Sequence, residues 1–471
     1  RYHRTAVMTV LFDKQFEFEV EIPVVVVGAG ACGIIAGLTA QETGSEVLVL
    51  ERDDVPRGST ALSSGMIPAC ETRLQEAKGV DDSIALLSAD IRRKSRGGAD
   101  LDIVEAICRE SGSAIDWLIE QKGVPLQLVD SFLYPGHSVH RMHAPPSMTG
   151  AELIGALSAA AEKDNLDIVT NAHVSALVAQ HDGRIDGVVV TRPDGSQETI
   201  GCRALVLACN GYGGAPEMVR KFSPEIADAV FAGHTGNKGD AVSWGLDLGA
   251  DLRDMGAYQG HGSWATPHGM LITWAVMTEG GIQVNTEGRR FANEHQGYSE
   301  AAVDVLRQPD GVAWNIYDQR IHELGMTFED YRDAEQAGAI RFGTDTVELA
   351  ASCGLPVDIL SGTLDEIGEL GGGGGNCQFG RDFTKKPKLK PPYYAVKVTG
   401  ALFHTQGGLS VRPDARVLRK DGSPFPNLFA GGGAARGVSG NAVWGYLSGN
   451  GLLTAVTLGR IAGRNAAALV G

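Results

Sequence analysis

Residues 24–33, a valine run followed by Gly28-Ala29-Gly30-Ala31-Cys32-Gly33, constrain this chain more than any other stretch, together with Glu51 after a second apolar run at 47–50. An unbroken apolar run reads as a strand buried on both faces, and this one leads straight into a glycine turn. Gly28 permits the tight turn, Gly30 lets backbone amides close on a pyrophosphate, and Gly33 lets the next helix pack on the strand. The pattern predicts a helix over 34–43 whose free N–H groups and dipole face the phosphates. Glu51, roughly 20 residues on, suits a ribose 2′-hydroxyl and repels a 2′-phosphate, so the turn reads as a site for FAD or NAD and not NADP.

A chain of 471 residues can bury a large core, and two domains are the natural expectation. The net charge of −16 argues against nucleic acid or an anionic membrane as partner, since both demand clustered Lys and Arg. No apolar run approaches the roughly 18 residues of a membrane span. Residues 1–20 lack the apolar core and cleavage site of a signal peptide, so a cytoplasmic location is expected. Seven cysteines, none in a CxxC pair, read as reduced packing residues. No His/Cys cluster has ligand spacing, so no metal is expected.

Residues 22–54 form a first βαβ unit, and 58–66 are small and hydroxyl-rich. Helical patterns cover 81–122 and 149–163, the latter opened by Thr149 as a cap. Alternation over 167–207 predicts a β-meander whose last strand enters a second glycine turn at 208–214. After a more charged and aromatic region from about 255 to 400, the chain returns to a strand at 427–430, a glycine turn at 431–433 and a helix near 450–468. This order suggests a cofactor domain interrupted by a second domain and completed by the C-terminus.

Together these stretches resemble the fumarate reductase/succinate dehydrogenase flavoprotein family, which includes ketosteroid dehydrogenases. The carriers are GAGACG with Glu51, GSTALSSGM (58–66), ALVLACNGYGG (204–214), TGNKGDAVSWGLDLGA (235–250), GGIQVNTEGRRFANE (280–294), HTQGGL (404–409) and NLFAGGG (427–433). The resemblance implies an α/β chain: a GR2-type, Rossmann-like FAD-binding domain at 1–255 and 403–471, with an inserted α+β capping domain at 256–402. It implies FAD held by Gly28, Gly30, Ala31, Gly33, Glu51 and Arg52, and by Ser59, Thr60, Ser64, Gly65 and Met66 of the hydroxyl-rich loop. Val174, Ala208, Asn210, Gly211 and Asp240 join them, with Gly432, Gly433, Asn450, Leu452 and Leu453 near the C-terminus. Succinate dehydrogenases attach flavin through a histidine in the segment matching 58–66; none stands there, so the FAD is expected to be non-covalent.

The family moves a hydride between flavin N5 and carbon while a protein acid or base handles the neighbouring proton. His261, Thr273 and His404 match the polar groups that hold one substrate carboxylate in fumarate reductases. The arginines do not match. Tyr298 stands where the proton-donating arginine would follow RFANE, and Trp274 and Met277 align with the glutamate and second arginine of the proton path. Residues 440–444 hold no clamping arginine, and Arg436 fits the preceding glycine loop. A dicarboxylate needs bidentate guanidinium partners.

Tyrosine at 298 resembles the ketosteroid dehydrogenases, where a tyrosine takes an α-proton and flavin accepts the β-hydride. Tyr446 matches a second tyrosine that, with a backbone N–H, polarises the ketone. Tyr134 is a candidate to pair with Tyr298 and lower its pKa, since a phenol near 10 is a poor base. Trp264, Trp274, Met277 and Trp444 are expected to line an apolar pocket. The expected function is an FAD-dependent dehydrogenase that introduces a C=C beside the carbonyl of a cyclic ketone, a small-molecule substrate, and passes electrons to an external acceptor. One alternative reverses the direction: an enoate reductase with Tyr298 as proton donor and a monocarboxylate gripped by His261, Thr273 and His404. Another is a flavin-binding subunit without turnover.

Overall fold

The computed structural model describes residues 9–12 and 15–471, and two large sheets organise them. The first has nine strands. At its centre Val20–Val27 runs parallel to Val47–Leu50 on one side and to the end of Gln197–Leu207 on the other. Val24, Val25 and Val26 are fully buried. Successive side chains point to opposite faces, so both faces of this strand are covered.

Asp167–Val169 extends this sheet beyond Val47–Leu50, in parallel, and does not join the meander expected over 167–207. Asn171, at φ 51°, turns the chain away, and the meander consists of His173–Ala179, Ile185–Thr191 and Gln197–Leu207. Alternation alone does not separate a parallel edge strand from a hairpin strand. The helical stretch at 81–122 is likewise two helices, Ile84–Lys94 and Leu101–Glu120. Asp100 starts the second by accepting from the N–H groups of Asp102 and Ile103. Thr149 caps Gly150–Lys163 through the Glu152 N–H.

The C-terminal helix, Asn450–Val470, lies directly on Ala31–Glu42. A Cβ on Gly463 would sit 2.2 Å from the Ala36 carbonyl oxygen, so the two backbones touch only because no side chain intervenes.

The second sheet has seven strands and is built on Tyr393–Thr405, which pairs with Tyr258–Ala265, Val312–Asp318, Ile340–Gly343 and Val230–Phe231. One of these short strands comes from before residue 256, and the long strand runs past 402 to Thr405. A small third sheet, Ile67–Pro68, Met142–Ala144 and Gln127–Val129, adds Met142 and Val129 to an apolar cluster that also holds Trp274, Tyr298 and Tyr446. The cysteines are all free, and no described helix is long and apolar enough to cross a membrane.

Candidate active site

One cavity runs from the glycine turn to the second sheet and is lined from both. At the turn, Gly28 has φ +101°, and a Cβ on it would lie 2.5 Å from the Ala208 carbonyl oxygen. A Cβ on Gly33 would lie 1.8 Å from the carbonyl oxygen of Gly28. Strand, turn and helix are therefore in backbone contact, which a side chain at either position destroys. Gly30 has no side chain to cap Ala31–Glu42, and first-turn N–H groups are left at a point where Gly30, Ala31 and Cys32 line the cavity. Ala31 N–H donates to Thr60 Oγ1 at 3.1 Å.

Glu51 is buried, and its two carboxylate oxygens accept from Ala29 N–H at 2.8 Å and Asp53 N–H at 2.9 Å. Each oxygen keeps a further lone pair for a ribose hydroxyl. Arg52 donates to the Gly236 carbonyl and meets His173 Nε2 at 2.9 Å. His234 Nε2 meets Asp53 at 2.6 Å, and Asn237 donates to Ser59 Oγ at 2.8 Å, so residues 234–237 bridge the cavity's two walls. Burial pushes Asp240 up to about 6; burial and then Arg52 push His173 down to about 4.

Of the residues expected to hold cofactor, Gly28, Gly30, Ala31, Glu51, Arg52, Ser59, Thr60, Ser64, Met66, Val174, Ala208, Asn210, Asp240, Gly432, Gly433 and Leu452 line this cavity. Gly33, Gly65 and Gly211 stand behind its wall, Gly65 against the Thr149 carbonyl and Gly211 against Thr405 Oγ1. Leu453 lies in the main core instead, since one step along a helix turns the side chain by about 100° away from Leu452. His173, Cys209, His234 and Asn237 line the cavity without having been singled out in the sequence. Asn237 stands inside the 235–250 motif and His234 immediately before it, so the motif carried a signal for both; His173 had none beyond its place beside Val174.

At the far end the cavity gathers all six side chains expected to act in catalysis: Tyr134, Tyr298, Tyr446, His261, Thr273 and His404. Tyr298 opens the helix Tyr298–Leu306, His261 sits at an irregularity of Tyr258–Ala265, and His404 is next to last in Tyr393–Thr405. The His261 ring stacks on Tyr298, centroids 4.7 Å apart at 18°. Tyr446, Tyr134 and Trp274 surround Tyr298 at 6.1, 6.2 and 6.4 Å. Ser448 and Tyr446 are the polar neighbours of the Tyr298 hydroxyl, and Gly451 N–H donates to the Tyr446 hydroxyl at 3.3 Å.

Burial, reinforced by Tyr446, holds Tyr298 well above the ordinary phenol value. The expected lowering by Tyr134 does not occur: Tyr134 stands edge-on, is itself pushed up by burial, and carries no charge to stabilise a phenolate. Burial pushes His261 down to about 3 and His404 to about 4, so both are neutral at pH 7.

Among the described lining residues the only arginine is Arg52, at the other end. Arg436 is committed to Asp100 at 2.8 Å and Asp254 at 2.6 Å. Arg290 and Arg381 pair with Glu294, at 2.7 and 2.9 Å, off the cavity wall. Of the expected apolar lining only Trp274 is in place. Met277 is buried in the core beside it, Trp264 packs edge-on to Phe403, and Trp444 sits in a surface turn, 41% exposed under Arg96. Leu271 and Phe403 supply apolar wall instead, with Gln259, Gln406 and Ser448 as polar lining that the sequence reading passed over.

The family model described as an FAD binding domain matches residues 23–452. A probable fumarate reductase (Ifc3) of Shewanella frigidimarina is 32% identical over 94% of this chain and 74% of its own. The chain belongs to the fumarate reductase flavoprotein family. This flavoprotein is also 30% identical to a urocanate reductase of Eggerthella lenta, over 95% of this chain and 75% of that one. It superposes on a 3-ketosteroid-Δ4-(5α)-dehydrogenase from Rhodococcus jostii RHA1, in complex with 4-androstene-3,17-dione, with a TM-score of 0.76 at 26% identity, covering 96% of this chain and 98% of that one.

Its cofactor is FAD, and the residues present fit it. Asn450 opens the C-terminal helix between the cavity-lining Gly449 and Gly451, and both its amide atoms are buried without a partner. Such orphaned groups cost about 1–3 kcal/mol each. Asn450 is not itself part of the cavity wall, and the fit to FAD rests on the glycine cradle, the first-turn N–H groups and the free lone pairs of Glu51.

Proposed function

We propose that this flavoprotein reduces a carbon–carbon double bond conjugated to a ketone or to a single carboxylate, with Tyr298 as the proton donor. Bound FAD, held without a covalent link, supplies the hydride for the β-carbon. The relatives named as reductases carry the direction, and Tyr298, buried at the end of the cavity and held above its ordinary pKa, is a phenol that keeps its proton at neutral pH. Such a phenol can give its proton to a carbanion-like α-carbon. This direction is the reverse of the desaturation expected from the sequence, and it is the one that relatives named as reductases support.

The other groups follow from charge. His261 and His404 are neutral, and with Thr273 they offer N–H and O–H donors to one substrate oxygen-bearing group. Tyr446 accepts a backbone amide and retains its own proton to donate. With no guanidinium among the described lining residues at this end, a second carboxylate would be desolvated without compensation at a cost of several kcal/mol. Fumarate is thus a poor fit, and Trp274, Leu271 and Phe403 offer an apolar wall for a bulkier β-substituent.

The reverse reaction, desaturation of a cyclic ketone, is favoured by one observation, the likeness in fold to a ketosteroid dehydrogenase. An anaerobic panel separates the two. Protein with chemically reduced flavin is mixed with fumarate, an aryl-substituted monocarboxylic enoate and a cyclic enone; reoxidation by the latter two and not by fumarate is expected. Bleaching of the oxidised protein by saturated cyclic ketones, with no reoxidation by any unsaturated acid or ketone, would replace this reading with the desaturase.

A further inference from the structure

We infer that Gln406 and Ser439 fix the tautomer of His404 and thereby make its Nε2–H the group that meets the substrate oxygen. They are positioning residues acting through His404, and the inference rests on the substrate role proposed above for that histidine.

A neutral imidazole has one donor and one acceptor nitrogen, and the partner of one decides the state of the other. His404 Nδ1 has two neighbours: the Gln406 side-chain nitrogen at 3.3 Å and the Thr405 carbonyl oxygen at 3.4 Å. They demand opposite tautomers, since the amide donates to a bare Nδ1 and the carbonyl accepts from a protonated one. The orientation of the amide separates them: Gln406 turns its NH2 end to His404 and its Oε1 to the Ser439 hydroxyl, which donates to it at 3.1 Å.

The main chain that carries the amide is pinned on both sides. Gln406 N–H donates to the Ala257 carbonyl at 2.8 Å, and its own carbonyl accepts from Gly437 N–H at 2.7 Å. Gln406 and Ser439 are 3% and 2% exposed, so water does not replace either bond. The proton then sits on Nε2, the nitrogen beside Gly451, where a Cβ would come within 2.6 Å of it. His261 reaches the same tautomer by a different route, since Ser263 N–H donates to its Nδ1 at 3.1 Å. A main-chain N–H cannot be reversed, whereas the Gln406–Ser439 chain can be broken by substitution. Two Nε2–H donors select an acceptor, a carboxylate or ketone oxygen, over a substrate that presents N–H groups at that place.

The test reads the tautomer directly, by 15N spectra of histidine-labelled holoenzyme with the His404 signal assigned by its loss in His404→Gln. Gln406→Leu leaves the Thr405 carbonyl as the Nδ1 partner, and the proton is expected to move from Nε2 to Nδ1 while bound FAD is retained. The KM for an enoate or enone should rise about tenfold with a smaller change in kcat, the signature of lost ground-state binding. Ser439→Ala should shift both readouts the same way by less, and Ser439→Thr should restore them. An Nε2–H signal unchanged in Gln406→Leu overturns the inference; should that variant fail to fold, an unchanged signal in Ser439→Ala does so. A flipped tautomer with unchanged KM overturns the substrate role of His404, and with it that part of the proposed function, while tautomer control stands.

Discussion

Around Glu51 the cavity is shaped by main chain: Gly33 on the Gly28 carbonyl, Ala29 and Asp53 N–H groups on the carboxylate, the uncapped start of Ala31–Glu42. Around Tyr298 it is shaped by side chains from segments far apart in sequence, from Tyr134 to Tyr446. Main-chain sites tolerate few substitutions, whereas a site made of side chains can change residue by residue without disturbing the fold. The difference separates the end that fixes the cofactor from the end that would set the chemistry.

Breaking the main-chain end should have the largest effect. Gly33→Val cannot coexist with the Gly28 carbonyl, and the variant is expected to lose bound flavin and soluble yield together, read by visible absorbance of the purified protein. Tyr298→Phe should leave flavin content and Tm nearly unchanged and lower turnover by roughly 10²–10⁴, the range of a lost general acid; unchanged turnover would remove Tyr298 from the chemistry. Glu51→Gln should weaken FAD affinity about tenfold or more, in line with roughly 1.5–3 kcal/mol for hydrogen bonds to a charged group. Its turnover at saturating FAD should match wild type, which separates the two ends cleanly.

The smallest effect is on pH stability. Burial depresses His137 to about 4, His261 to about 3 and His404 to about 4 at the tyrosine end, from an ordinary 6.5. In that interval the unfolded chain binds more protons than the folded one, so these groups lower stability as pH falls below about 6.5 and have no effect above it. At the dinucleotide end His173, down to about 4, and Asp240, up to about 6, act with opposite signs and largely offset. Tm should therefore drop on acidification through this window, and His404→Gln should flatten the drop slightly.

The sequence made the dinucleotide end legible because its determinants are contiguous: a strand, a turn and an acid within one βαβ unit. The meander edge was misassigned, since Asp167–Val169 and a hairpin strand carry the same alternation and only the partner differs. At the tyrosine end the motifs located the six polar groups but not their electrostatics. A tyrosine's pKa depends on what surrounds it in three dimensions, and here burial comes first, with Tyr446 and the Glu300 carboxylate pushing the same way. Trp444 was expected inside and lies on a surface turn, because a large apolar side chain carries no label for which side of a short turn it takes. Gln406 and Ser439 sit 33 residues apart and become neighbours only through folding.

The strand Tyr393–Thr405 carries a last consequence. Val312–Asp318 holds its residues 393–399 and Tyr258–Ala265 its residues 398–405, where Gln259 pairs with His404 itself. His404 is the tip of a clamped beam, not a finger on a loop. A substrate of a different shape must be accommodated by the turn that carries Tyr446 or by the first residue of the helix at Tyr298, because the imidazole wall was set in place when the outer sheet closed.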